Sequence, residues 1–71
     1  MIYKPERLIC NFDHGVYAVD VWQADGTWQA TATQVDAASS FASFYYEEDK
    51  DREYVINKAI MDVKEHNDEN N

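Results

Sequence analysis

Little in this chain punctuates or staples a fold. Its 71 residues include two glycines, one proline and one cysteine. A lone cysteine, Cys10, excludes an internal disulfide framework and suits a reducing compartment. Two glycines, Gly15 and Gly26, cannot build a glycine-rich phosphate cradle. Basic residues are scarce as well: six Lys and Arg stand against fourteen Asp and Glu, for a formal charge of -8. A chain with that balance lacks the cationic footprint that DNA, RNA or anionic lipid requires. No apolar run approaches the ~20 residues of a spanning helix. The opening Met1-Ile2-Tyr3-Lys4-Pro5-Glu6-Arg7 has no apolar signal core, so the expectation is a cytoplasmic protein.

What is present is a high apolar content, 45% with 14% aromatic, too much for a disordered chain. The length suits one small domain over residues 1–71, with a thin stability margin. Asp25-Gly26 between two strand-like runs is a strong signal for a two-residue hairpin. It pairs Gln23 with Trp28, Val21 with Ala30, Val19 with Ala32 and Tyr17 with Gln34. A second turn at His14-Gly15 pairs Phe12 with Tyr17, Cys10 with Val19 and Leu8 with Val21. Both registers place Leu8, Cys10, Phe12, Tyr17, Val19, Val21, Trp28, Ala30 and Ala32 on one face. The opposite face is mixed, and Trp22 is its conspicuous member. The small Ala30 and Ala32 leave room for a helix close to the third strand.

Beyond a meander at about 7–35, Asp36 ahead of Ala37-Ala38 predicts a capped helix at about 37–46. Phe41, Phe44 and Tyr45 recur at helical spacing, although Phe41 to Tyr46 also suits a fourth strand. The acidic run Glu47 to Glu53 breaks the chain, and Asp49 or Asp51 can cap a second helix at about 51–65. Val55, Ile56, Ala59, Ile60 and Val63 follow its buried face. Residues 66–71 have no apolar anchor and are expected to fray. The predicted fold is therefore α+β, a three-stranded antiparallel meander followed by two helices packed on one face.

Catalytic chemistry finds no foothold. Cys10 points into a core face, His14 sits in a turn and His66 in the tail, so no nucleophile has a positioned base. Two isolated histidines and one cysteine offer no zinc spacing. Asp49, Asp51 and Glu53 imitate the opening of a calcium loop, but Tyr54 stands where that loop needs Gly and Ile60 where it needs Glu. The expectation is no metal, no cofactor and no catalytic residue.

The surface carries the remaining signal. Glu47, Glu48, Asp49, Asp51 and Glu53 cluster at the junction, while Asp62, Glu65 and Glu69 form one helical stripe with Asp68 beside it. Carboxylates in rows can occupy a groove built for phosphates, since arginine accepts both with the same bidentate geometry. In size, acidity and sheet-plus-helix plan the chain resembles the small inhibitors that phages carry against bacterial defences, anti-CRISPR and DNA-mimic proteins. That resemblance implies a partner protein with a basic nucleic-acid-binding groove, such as a CRISPR effector subunit, met in the host cytoplasm without direct nucleic-acid or membrane contact. The alternative is a protein–protein adaptor or antitoxin-like module, using an apolar patch of Trp22, Ile9 and Val16 and open to homodimerisation.

Overall fold

The computed structural model describes residues 4–37 and 41–69. Asp25 and Gly26 both adopt left-handed backbone, with φ of 52° and 78°. This is the primed turn whose twist suits a tight hairpin, and it joins β2 (Gly15–Ala24) to β3 (Thr27–Gln34). Pairs Gln23–Trp28, Val21–Ala30, Val19–Ala32 and Tyr17–Gln34 all form as the turn chemistry requires.

The first hairpin is displaced from its expected register. Phe12, at the end of β1 (Glu6–Phe12), pairs with Gly15, Cys10 with Tyr17 and Leu8 with Val19. The loop residues are thus Asp13 and His14, not His14 and Gly15. Gly15 opens β2 at a φ of 156°, against the Gln34 side chain, where a β-carbon would lie 2.3 Å from Nε2. Its neighbour Val16 donates its backbone N–H to Asp36 at 3.0 Å. The shift is by two residues, so every side chain keeps its face.

The larger correction concerns residues 37–46. Ala42–Tyr46 form a fourth strand, β4, and not a helix. It pairs antiparallel with β3, Ala32 opposite Ser43 and Ala30 opposite Tyr45, giving a sheet in the order β1-β2-β3-β4. Residues 38–40 of the expected helix lie outside the described residues. Asp36 does not cap a helix: its Oδ1 accepts from the Val16 N–H and from Gln34 Nε2, both at 3.0 Å. These hydrogen bonds hold its carboxyl below the usual carboxylate range, the backbone bond foremost. With the cap occupied, the aromatic segment meets the backbone groups of β3, and period-two alternation prevails. Phe41, Ser43 and Tyr45 turn inward, while Ala42, Phe44 and Tyr46 turn outward.

A single helix, α1 (Arg52–Glu69), follows. Asp51 is its cap, Oδ1 accepting the Tyr54 N–H at 2.8 Å. The helix runs past the expected end at 65, because His66 stacks on Phe41 at 3.8 Å and Asn67 donates to Gln34. Asn70 and Asn71 of the expected frayed tail lie outside the described residues. Val55, Ile56, Ala59, Ile60 and Val63 bury against Tyr17, Val19, Val21, Ala30 and Ala32. Burial of each larger side chain contributes about 1.5–3 kcal/mol. The helix lies chiefly over β3, where the two alanines allow close approach, then over β4, and reaches β2. Among the described residues the class is α+β with four strands and one helix, in place of three strands and two helices.

Candidate functional site

The helix covers one face of the sheet only. The opposite face contains Arg7, Ile9 and Asn11 from β1, Val16, Ala18, Asp20 and Trp22 from β2, Gln29, Thr31 and Thr33 from β3, and Ala42, Phe44 and Tyr46 from β4, with Val35 just beyond β3. Ile9, Val35, Phe44 and Tyr46 are each about half exposed or more, at 58%, 56%, 56% and 49%. Trp22 is half-buried on this face. Its indole N–H donates to Gln29 Oε1 at 3.0 Å, and its ring lies 6.0 Å from that of Phe44. A cross-strand hydrogen bond and an aromatic neighbour therefore fix the orientation of Trp22 on this face.

Among the described residues, charge on this face amounts to one ion pair. Arg7 grips Asp20 with two hydrogen bonds, Nε to Oδ1 at 2.8 Å and Nη2 to Oδ2 at 2.9 Å. The guanidinium's hydrogen bonds pull the Asp20 carboxyl below its ordinary range and raise Arg7 in turn. The face is thus neutral in a chain of net charge -8.

The acids expected to act as a unit are divided by the structure. Glu47 accepts the Tyr45 hydroxyl at 2.6 Å, which drives the Tyr45 phenol well above its ordinary value. Asp51 is committed to the helix cap. Asp62 does not lie on an outer stripe: it is half-buried beside β4 and accepts the Ser43 hydroxyl at 3.2 Å. Glu48, Asp49, Glu53, Glu65 and Glu69 are exposed. Bases interleave with them: Lys64 pairs with Asp68 at 2.9 Å, Arg52 with Glu6, and Lys50 and Lys58 stand over the Tyr54 ring. The run Glu47 to Glu53 is therefore partly structural.

The groups weighed for chemistry are also absorbed into the fold. His14 is no free turn imidazole, since its ring stacks on Phe12 and its Nδ1 meets the buried Tyr17 hydroxyl at 2.8 Å. Desolvation raises the Tyr17 phenol, so it remains a neutral partner for that imidazole. Cys10 is half-buried at the core margin. Among the described residues no three His, Cys, Asp or Glu side chains are placed to hold a metal ion. An open groove of about 260 Å³ lies between Leu8 and Ile56, with Arg52, Glu53 and Asn57 on its rim. Among the described residues no helix is long and apolar enough to cross a membrane.

Helical spacing across 37–46 does not place Phe44 and Tyr46 on the sheet face; the competing fourth strand does. The alternation of Phe41, Ser43 and Tyr45 with Ala42, Phe44 and Tyr46 was the available signal. No family model, curated protein or solved structure matches this chain.

Proposed function

We propose that this chain is a non-catalytic protein-binding module whose contact surface is the open face of its sheet. One observation carries the reading: Trp22, Phe44, Tyr46, Ile9 and Val35 share a face on which no element packs among the described residues. A sheet normally buries one face and solvates the other with polar side chains. Here the solvated face carries aromatic and branched residues among its polar ones, and those are types that anchor protein interfaces. The adaptor reading is thereby favoured over a purely acidic contact.

A second reading retains the acidic inhibitor of a basic groove, and the exposure of Glu48, Asp49, Glu53, Glu65 and Glu69 favours it. Affinity capture from the cells in which the chain acts separates the two. Trp22→Ala with Phe44→Ala abolishes capture in the sheet-face reading, while Glu48→Lys with Glu65→Lys leaves it intact. The reverse pattern, with binding that collapses as salt rises, refutes the sheet-face reading and supports a basic, nucleic-acid-binding partner such as a CRISPR effector subunit.

A further inference from the structure

We infer that the occupant of the open sheet face is a second copy of this chain, docked sheet to sheet about a two-fold axis; the inference rests on that face being a contact surface. Charge supports this choice of occupant. Two copies of a chain with net charge -8 repel one another, and the acids of the β4–α1 junction and the helix would be set against their own kind if those surfaces met. The open face avoids this, because its charged side chains, Arg7 and Asp20, cancel. A two-fold axis along the middle of the sheet sets β1 over β4 and β2 over β3 of the other copy, so the row Arg7, Asp20, Thr31 and Phe44 opposes no like charges. A basic partner would gain nothing electrostatically from a neutral face and would be drawn to the acidic side instead.

Dimensions agree with a modest dimer. Four strands about 4.8 Å apart make a face about 19 Å wide, and β3's eight residues at about 3.3 Å each run about 26 Å. Two such faces bury roughly 1,000 Å², the lower limit for a specific interface, so dissociation on dilution is expected. The helices then lie on the outside of the pair, and the exposed glutamates stay in water.

Sedimentation equilibrium of the purified full chain, over about 10 µM to about 1 mM, tests this. The expected result is a rise from 8.3 kDa toward twice that mass. Phe44→Arg holds the chain at the monomer mass; Phe44 is 56% exposed, so circular dichroism should show the fold kept. Arg7→Glu and Asp20→Arg each weaken self-association, and mixing the two proteins restores a pair. A chain that stays monomeric throughout overturns the inference, as does a dimer untouched by Phe44→Arg or a charge-swapped mixture that does not associate. Phe44→p-benzoylphenylalanine, irradiated in the cells where the chain acts, separates this failure from that of the contact surface. Cross-linking to a different protein removes the second copy and leaves the surface standing, whereas no product beside a monomeric chain removes both.

Discussion

Replacing Gly15 with alanine is the sharpest probe of how the first hairpin is set. An added β-carbon would lie 2.3 Å from Gln34 Nε2, 3.0 Å from its Cδ and 3.4 Å from Asp36 Oδ1. Gln34 would have to swing away, and it is the centre of a small network. It donates to the His14 carbonyl and to Asp36, and it accepts from Asn67 on α1. Loss of the part-buried Asn67 contact costs about 1 kcal/mol, more where the amide is left unsatisfied. The backbone contributes separately, since a φ of 156° suits glycine and strains alanine by about 1–3 kcal/mol. Together Gly15→Ala should destabilise by about 2–4 kcal/mol and lower Tm by about 10–25 °C, most of the margin of so small a domain. Thermal and urea unfolding followed by circular dichroism measure it, with sodium sulfate added where the variant is unfolded in plain buffer. In a Gln34→Ala background the same replacement should cost less, because only backbone strain remains. A Gly15→Ala protein melting within about 1 °C of the parent would refute the reasoning, and equal costs in both backgrounds would remove the steric part.

Three further outcomes are expected. Asp51→Ala removes the cap on the Tyr54 N–H and should lower stability by about 1 kcal/mol, read by urea denaturation, with Asp51→Asn recovering most of it. The Asp36 carboxyl is depressed by the Val16 N–H first and by Gln34 second, so its contribution is complete above the ordinary aspartate value and fades as pH falls through its lower folded value. The stability gap between the parent and Asp36→Asn should therefore be widest near pH 7 and close in acid, and a gap independent of pH would contradict this assignment. Tyr45 and Tyr17 are both raised, the first by Glu47's hydrogen bond and the second by desolvation, so whatever stability they lend is intact below the ordinary phenol value and lost as pH rises through the folded ones. Ultraviolet titration should show Tyr17 and Tyr45 ionising above the ordinary phenol value, with Tyr45 moving down in Glu47→Gln.

Legibility in the sequence followed the range of each signal. The face of each residue in the first three strands was readable, because alternation is a property of neighbouring residues and survives a two-residue slip. The helix core from Val55 to Val63 was readable for the same reason. The acidic residues were visible, but their division into caps, tyrosine partners and exposed groups was not. Each of those fates depends on a residue that is near only in the fold, as Ser43 is to Asp62 and Tyr45 is to Glu47.

By itself the amino-acid order determined the Asp25-Gly26 hairpin and its register, since a dipeptide that accepts left-handed backbone at both positions closes the turn without outside help. It also determined which residues of β1 to β3 share the helix-facing side. Tertiary structure decided the rest. Residues 42–46 became a strand because β3 offered an unpaired edge and α1 offered His66, Asp62 and Tyr54 to receive Phe41, Ser43 and Tyr45. The first turn settled on Asp13-His14 because Gln34 and Asp36, some twenty residues away, close around Gly15 and Val16. A single helix can cover only one side of a four-stranded sheet, and that limit, not any local motif, leaves Trp22, Phe44 and Tyr46 together on the open face.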